Sequence, residues 1–223
     1  MGFNLYINFY VDRQTNRQYE LQYCLMKNIV CSEVDKVIIV LNKKHILHFF
    51  EMMVKNDLIK HYNKVFLIYN EDRPTYNDWF YLTQQYSKED DISCVSNTDI
   101  IFDSENVNKI KNYNWTNSLC MALTRWDLIN ENDYSTANFF NRCDSQDTWI
   151  VKGGFKNVDA DFSLGVAGCD NRIAFLLDKH YELINPSKTI KTYHLHKSDI
   201  RNYINYGQVQ RIPPPYLQIH PTL

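Results

Sequence analysis

Side chains in three separate segments of this 223-residue chain are of types that could take part in metal-dependent chemistry. Asn97 and Asp99 stand two residues apart directly after an apolar run, so both side chains leave the chain on the same side. Asp170 begins a helical pattern, and His194 and His196 alternate in a strand-like run. Carboxylate oxygens suit Mg²⁺ and added imidazoles suit Mn²⁺. Asp99, His194 and His196 are therefore candidate metal ligands.

Each of these features also has an ordinary structural explanation. An isolated N-x-D is typical of an Asx turn that ends a strand. An Asp at the start of a helix is typical of an N-cap, and alternating His residues are more often packed or surface residues than ligands. Each explanation stays open for each motif taken singly, so only the combination of the motifs is specific.

The elements that must position these residues alternate regularly over the first hundred residues. Short β-branched and aromatic runs predict buried strands at residues 5–10, 37–41, 65–69 and 92–95. Apolar residues at helical spacing predict helices at 19–31, 45–55 and 76–86. This alternation predicts an α/β fold of the Rossmann-like kind, with a mostly parallel central sheet flanked by helices. Ligands bind such sheets at the carboxyl ends of the strands.

The pattern becomes less regular after residue 103. Residues 106–117 are polar, 119–124 resemble a strand, and 130–144 are irregular and rich in Asn and Asp. A helix is predicted at 171–179, a strand at 181–184, and an extended tail around the three prolines at 213–215. We expect residues 1–223 to form a single domain, with a regular α/β half at 1–103 and a less regular half at 104–223.

Composition and charge exclude several classes of protein. With 44% hydrophobic residues, 6 Gly and 6 Pro, the chain is neither disordered nor fibrous. A formal net charge of -2 gives no basic footprint, so we expect no nucleic-acid partner and no anionic membrane partner. The six Cys contain no C-x-x-C pair, and the N-terminus resembles no signal peptide. We therefore expect free thiols, no membrane anchor and a cytoplasmic location.

The distribution of glycine limits how the predicted sheet could bind a nucleotide. No glycine lies between Gly2 and Gly153, which excludes a G-x-G-x-x-G turn and a P-loop in the parallel half. The charge of a diphosphate would then have to be met by a metal ion or by basic side chains. Tyr10, Arg17 and Arg73 follow predicted strands and could contact a base or a phosphate. A half-buried Tyr and surface Arg residues are the alternative explanation.

Taken in order, the three motifs resemble those of the metal-dependent GT-A glycosyltransferases. Asn97-Thr98-Asp99 resembles the metal-binding D-x-D, Gly165-Val166-Ala167-Gly168-Cys169-Asp170 resembles the segment with the acceptor-side carboxylate, and His194-Leu195-His196 resembles the closing metal ligand. Within this family the chain is most similar to small viral and bacterial domains. Two positions depart from the motifs, because Asn97 replaces an acid and Cys169 replaces a Glu.

The resemblance implies a function and a role for each candidate residue. It implies that the chain moves a sugar from a nucleotide-sugar to a glycan hydroxyl, with a UDP-sugar as the expected donor and Mn²⁺ or Mg²⁺ as the cofactor. Residues 1–103 would then be the nucleotide-binding half and residues 104–223 the acceptor-binding half. Asp99 with His194 or His196 would hold the metal, and Asp170 or Asp147 would act as the base. The helix N-terminus is expected to lower the pKa of Asp170 and keep it ionised. The candidate nucleotide-sugar ligands are Tyr10, Arg17, Arg73, Asn97 and Arg125.

Other functions remain alternatives to glycosyl transfer. A non-catalytic module of the same fold would bind a nucleotide-sugar or a carbohydrate, and Asn97 and Cys169 favour that alternative. A metal-dependent phosphohydrolase could use the same acids and histidines. A nucleotidyltransferase uses a related sheet, but the loop after the first predicted strand is not the Gly-rich basic loop typical of that class.

Overall fold

Seven strands form the central sheet of the computed structural model, which describes residues 1–198, 204–205, 208–209 and 211–223. Four of the six neighbouring pairs in the sheet are parallel within this part of the chain, and one inner strand is antiparallel to both of its neighbours. This mixed α/β architecture confirms the predicted fold class. In spatial order the strands are β10 (Glu182–Ile184), β6 (Leu119–Leu123), β9 (Thr148–Lys152), β4 (Ile92–Ser96), β1 (Phe3–Phe9), β2 (Lys36–Leu41) and β3 (Val65–Tyr69).

Helices cover both faces of this sheet. The alternation of side chains along β1 shows why: Leu5 and Ile7 pack into one hydrophobic cluster, whereas Tyr6 between them packs into the other. Three helices contribute to the cluster that contains Leu5: α1 (Thr15–Val30), α2 (Ile46–Lys55) and α4 (Ser104–Lys111). Two helices contribute to the cluster that contains Tyr6: α3 (Tyr76–Tyr86) and α5 (Cys169–Leu177).

A second, smaller sheet brings residues 193–194 next to the segment that follows β4. Its strand order is β5 (Ile100–Ile101), β11 (Tyr193–His194), β7 (Trp126–Asp127) and β8 (Asn138–Phe139). The strand β11 is antiparallel to β5, with His194 opposite Ile100. Because β5 begins directly after Asp99, this pairing places His194 beside that carboxylate. A short antiparallel pair, Ile204–Asn205 with Gln208–Val209, completes the strands described.

Local chemistry explains where two helices near the site begin. The hydroxyl of Thr75 accepts a hydrogen bond from the backbone N–H of Asp78, whose carboxylate accepts one from the backbone N–H of Thr75 at 2.8 Å. This reciprocal capping box starts α3. Before α5, Gly168 adopts φ +80°, and a Cβ there would lie 2.9 Å from the backbone oxygen of Ile212. A side chain would be strained at this position, so glycine permits the turn that introduces Asp170.

The predicted start of α1 is four residues too late, and some elements were missed. The helix α4 lies largely in the segment predicted as polar, and β9 was not predicted. Short strands β7 and β8 lie in or beside the segment predicted as irregular. All six Cys lie in the described ranges and are free thiols, as expected. Among the described residues, no helix has the length and apolar character needed to cross a membrane.

Candidate active site

A pocket of about 890 Å³ lies at the carboxyl ends of β1, β2, β3 and β4. Its wall continues onto the second sheet and the N-terminal end of α5, so segments far apart in sequence meet there. All ten residues singled out by sequence analysis line this pocket: Tyr10, Arg17, Arg73, Asn97, Asp99, Arg125, Asp147, Asp170, His194 and His196. The structure therefore brings the candidates together, while the role of each stays a prediction.

Asp99, His194 and His196 form a cluster on one side of the pocket. Their potential ligand atoms all lie within 4.8 Å of one another. The Nε2 atom of His194 is 3.4 Å from Oδ2 of Asp99, and Nδ1 of His196 is 4.0 Å from the same oxygen. The backbone holds the cluster as well, since Leu195 N–H donates to the carbonyl of Asp99 at 3.0 Å. The strand β11 ends at His194, so His196 reaches the cluster from the residues that follow it.

Unpartnered atoms show that this cluster fits a divalent cation. Oδ1 of Asp99 and Nε2 of His196 are buried and make no hydrogen bond with any residue that the structure describes. Buried polar atoms nearly always have a partner, because leaving one unpaired is costly. Both atoms are of ligand type, and an ion bound between these side chains would supply the missing interaction. The pKa of His196 is lowered by burial and then by Arg17, which favours the neutral imidazole that a metal requires.

Arg17 is the charged partner of this cluster. One terminal nitrogen of its guanidinium pairs with Oδ2 of Asp99, and the other donates to Glu20 at 3.1 Å. Burial alone would raise the pKa of Asp99, but His194 and Arg17 hold it well below its usual range. Arg17 is only 5% exposed. Its guanidinium is thus paired with Asp99 and Glu20 in the wall of the pocket, whereas the sequence predicted that it could contact the nucleotide.

His194 is held between two carboxylates. Its Nδ1 lies 2.7 Å from Oδ1 of Asp127, while its Nε2 faces Asp99. Burial opposes a charge on this imidazole, but Asp99 and Asp127 raise the pKa of His194 to about 9. The ion-free imidazole is consequently protonated at neutral pH, so a metal ion that binds it must displace a proton.

Asp147, which precedes β9, and Asp170, in the first turn of α5, form a carboxylate pair in the same pocket. Asp147 is tightly held, because Oδ1 accepts from the side-chain amide of Asn97 at 2.7 Å and Oδ2 accepts from Arg125 at 2.9 Å. Burial and, next, the charge of Asp147 raise the pKa of Asp170 well above its usual range. The expectation that the helix N-terminus lowers the pKa of Asp170 is therefore wrong, since burial and a neighbouring charge outweigh it.

Asp127 is a residue of the site that sequence analysis missed. Its Oδ1 accepts from His194 and also from Nε of Arg125 at 2.9 Å. The only signal in the sequence is its place two residues after Arg125, which puts both side chains on one side of an extended chain. That spacing is common among surface residues, so it did not distinguish Asp127.

The opposite end of the pocket lies beyond the first three strands. Tyr10 follows β1 directly, and burial and then Asp99 raise its pKa, so the phenol stays neutral. Arg73 stands before α3 and is exposed, with one nitrogen donating to the carbonyl of Leu164. Lys44 and His45, which sequence analysis did not select, line the pocket after β2. This end offers an aromatic ring and cations to a ligand.

Comparison with known proteins shows the fold. No protein-family model matches the chain, and no curated protein matches it. A mannosyltransferase from Pyrobaculum calidifontis in complex with GDP-Man and Mn²⁺ is similar in structure, with a TM-score of 0.54 and 11% sequence identity. The match covers 90% of this chain and 58% of the mannosyltransferase, so the chain spans less than two thirds of that protein. At this identity the likeness concerns the fold alone.

Two further solved structures are similar over a smaller part of the chain. One is 4-diphosphocytidyl-2C-methyl-D-erythritol synthase from Anaerococcus prevotii, with 12% identity, a TM-score of 0.41, and coverage of 68% of this chain and 70% of that one. The other is the inositol-1-phosphate CTP transferase from T. maritima, with 10% identity, a TM-score of 0.42, and coverage of 68% and 71%. The finer resemblance to small viral and bacterial domains stays a prediction.

Proposed function

We propose that this chain is a metal-dependent glycosyltransferase that moves a sugar from a nucleotide-sugar to a glycan hydroxyl. The observation that carries this proposal is the meeting of two groups in one pocket: the Asp99, His194 and His196 cluster and the Asp147 and Asp170 pair. That pocket lies at the carboxyl ends of parallel strands, where α/β sheets bind nucleotides. The similar mannosyltransferase contains GDP-Man and Mn²⁺, which supports the same class of reaction.

The metal would be held by Asp99, His194 and His196. One carboxylate with two imidazoles favours Mn²⁺ over Mg²⁺, because Mg²⁺ prefers oxygen ligands. When bound, the ion would supply a Lewis acid that offsets negative charge on the departing nucleoside diphosphate. Arg17 keeps the carboxylate of Asp99 ionised and leaves its Oδ1 free to act as a ligand.

The side chains beyond β1 and β3 would bind the nucleotide. Tyr10 offers a ring for stacking on the base, and Arg73 is an exposed cation for a phosphate. UDP is proposed as the nucleotide because of the sequence resemblance, whereas the structurally similar mannosyltransferase contains GDP-Man. A test of nucleotide binding must therefore include GDP and other nucleotides as well.

Asp170 is proposed as the base that takes the proton from the acceptor hydroxyl as that oxygen attacks the sugar. A base works best when its pKa is near the working pH, and burial beside Asp147 moves the pKa of Asp170 upward in that direction. Asn97 and Arg125 fix Asp147 close to it. Asp147 is proposed to contact the donor sugar and to be the alternative base.

The proposal also includes the organisation of the chain. Residues 1–103 would bind the nucleotide and 104–223 the acceptor, within a single domain and in the cytoplasm. Strands from both parts join the same sheet, since β9 pairs with β4 and is followed in the sheet by β6 and β10. This shared sheet supports treating residues 1–223 as one unit.

The test is a thermal-shift panel of nucleoside diphosphates and nucleotide-sugars, each with and without Mn²⁺. A ligand that binds only the native state raises its apparent stability, so we expect a shift that needs both nucleotide and metal. Asp99→Asn should abolish the metal-dependent part, while Asp144→Asn, a pocket residue paired with Arg142, should keep it. A glycan acceptor panel with the best donor would then be examined for transfer.

Other outcomes would establish the alternative functions. Nucleotide-sugar binding without metal dependence and without turnover would indicate a non-catalytic module. Release of the nucleotide's phosphate groups without an acceptor would indicate a phosphohydrolase. Joining of a nucleotide to a sugar phosphate, with release of diphosphate, would indicate a nucleotidyltransferase.

A further inference from the structure

The backbone fixes Asp127 next to His194. The strands β7 and β11 are parallel, and their register places Asp127 directly opposite His194 and Trp126 opposite Tyr193. The N–H of Leu128 donates to the carbonyl of His194 at 2.9 Å, which continues the pairing beyond β7. The neighbourhood of these two side chains is thus set by the sheet and does not depend on their own contact.

The contact between the Asp127 and His194 side chains fixes which ring nitrogen of His194 faces Asp99. Oδ1 of Asp127 lies 2.7 Å from Nδ1 of His194, which leaves Nε2 of the ring as the atom that faces Asp99. A carboxylate on one imidazole nitrogen fixes the tautomer and the ring orientation, so the other nitrogen is presented to a metal ion. Asp127 would therefore act on the ion through His194.

Oδ1 of Asp127 also accepts a hydrogen bond from Arg125, which contacts Asp147 of the carboxylate pair. Nε of Arg125 donates to Oδ1 of Asp127 at 2.9 Å, and Nη1 of Arg125 donates to Asp147 at 2.9 Å. Asp147 in turn accepts from Asn97, two residues before Asp99. The five contacts form a chain that passes in order through Asp99, His194, Asp127, Arg125, Asp147 and Asn97. The two ends of this chain, Asp99 and Asn97, are joined by the backbone through Thr98.

We propose that Asp127 is a positioning residue that orients His194 toward the metal and couples the metal cluster to the carboxylate pair. This inference rests on the proposed function, since it concerns the same ion. Its consequence is specific: removal of Asp127 frees the His194 ring on one side and releases Nε of Arg125 on the other. Metal affinity and the placement of Asp147 are therefore expected to change together.

A purely structural role for Asp127 is the competing explanation. The Asp127 side chain is 42% exposed, and ion pairs open to solvent contribute little to stability. A structural ion pair with Arg125 would leave the affinity for a metal ion unchanged when it is removed. Metal affinity in the absence of any substrate therefore distinguishes the two roles.

The experiment is a calorimetric titration of the full chain with Mn²⁺ alone, in wild type, Asp127→Ala and Asp127→Asn. Each titration is run in two buffers of different ionisation enthalpy, and the Kd values compared are corrected for the proton that the ion displaces from His194, because Asp127 also raises the pKa of that imidazole. Loss of such an outer partner typically weakens metal affinity about 10–100-fold, and we expect a rise in Kd of this size for Asp127→Ala. Asparagine keeps an oxygen that can accept from Nδ1 but lacks the charge, so a smaller rise, about three- to tenfold, is expected. The matched control is Asp144→Ala, which removes a carboxylate paired with Arg142 at the same pocket and should leave Kd unchanged.

A spectroscopic measurement on the same samples reports the ligand directly. Electron spin-echo modulation of bound Mn²⁺ detects coordinated imidazole nitrogen, and we expect two histidine signals in wild type and weakening of one in Asp127→Ala. Wild-type protein that binds no Mn²⁺ would overturn the proposed metal site itself. Unchanged Kd and unchanged nitrogen signals in a folded Asp127→Ala would overturn this inference alone, and if that variant does not fold, Asp127→Asn decides by the same criterion.

Discussion

The side-chain amide of Asn97 donates to Oδ1 of Asp147 at 2.7 Å. This contact explains why an amide stands at the position that resembles the first acid of a D-x-D motif. A carboxylate at position 97 would face the carboxylate of Asp147 at hydrogen-bond distance, and two like charges so close cannot both ionise without a large cost. The departure from the motif is thus compensated by a partner 50 residues away in sequence.

Asn97→Asp is therefore expected to lower the free energy of unfolding by about 1–3 kcal/mol at neutral pH. The pKa of one carboxyl in the new pair would be raised in the folded state, so the loss is largest above that pKa and disappears as acid protonates the pair. Urea denaturation in EDTA at neutral and mildly acidic pH measures this. Asn97→Asp combined with Asp147→Asn should recover most of the stability, and equal stability of Asn97→Asp and wild type at neutral pH would contradict the explanation.

Most regular elements could be predicted because their hydrophobic periodicity is local. The predicted segments 65–69 and 76–86 coincide with β3 and α3, and other predicted elements agree within two residues except at the start of α1. That helix begins at Thr15, where the first turn, Thr-Asn-Arg-Gln, is polar and carries no apolar pattern. The strands and helices of residues 1–103 that show a local hydrophobic pattern could therefore be predicted from the sequence.

Elements that depend on distant partners could not be predicted in this way. The strand β9 has five residues and is defined by antiparallel pairing with β4 and β6, which come much earlier in the chain. The helix α4 buries only Val107 and Ile110 as apolar residues, so its segment looked polar. Both elements are stabilised by tertiary packing, which a single sequence does not display.

In the site too, features that depend on local sequence could be predicted, whereas features that depend on residues distant in sequence could not. Residues that follow strands were found, because the ends of parallel strands converge at one edge of the sheet. The contacts of Asp127 with His194 and of Arg17 with Asp99 join residues far apart in sequence. The raised pKa of Asp170 also depends on burial in the folded chain. Position could thus be predicted, while partners and protonation states could not.

Asp170→Asn is expected to reduce turnover about 10²–10⁴-fold, the usual contribution of a general base. Because asparagine has a similar shape and the pKa of Asp170 is already raised by burial, nucleotide-sugar affinity and thermal stability should stay near wild type. Initial transfer rates and donor Kd measured on the same preparation check this. Unaffected turnover in Asp170→Asn, together with loss in Asp147→Asn, would assign the base to Asp147.

Asp147→Asn is expected to differ from Asp170→Asn in stability. Asp147 accepts hydrogen bonds from Asn97 and Arg125, and one of its oxygens becomes an amide nitrogen in the variant. One donor then loses its acceptor, which costs about 1–3 kcal/mol for a buried polar group. Thermal unfolding of both variants side by side measures this difference. Equal stability of the two variants would show that the hydrogen bonds from Asn97 and Arg125 to Asp147 do not stabilise the fold.

Mn²⁺ affinity is expected to rise with pH, about tenfold per unit, below pH 9. In the ion-free protein Asp99 and Asp127 raise the pKa of His194 to about 9. The folded imidazole is thus protonated below this pH, and a metal ion must displace that proton, so each unit of pH increases the neutral fraction about tenfold. Calorimetry in two buffers of different ionisation enthalpy measures the number of protons released. Affinity independent of pH would show that His194 does not ligate the ion.

The two arginines predicted to bind nucleotide are expected to respond differently to substitution. Arg17 is buried against Asp99 and Glu20. Removing one partner from a buried ion pair leaves uncompensated charges and costs about 3–5 kcal/mol, so Arg17→Met should unfold at markedly lower urea concentration. Arg73 is exposed, and its ion pairs would form with the ligand, so Arg73→Met should keep stability and lose nucleotide affinity about tenfold or more. Nucleotide affinity lost in folded Arg17→Met but retained in Arg73→Met would reverse the assignment, because it would show that the phosphates reach the guanidinium beside Asp99.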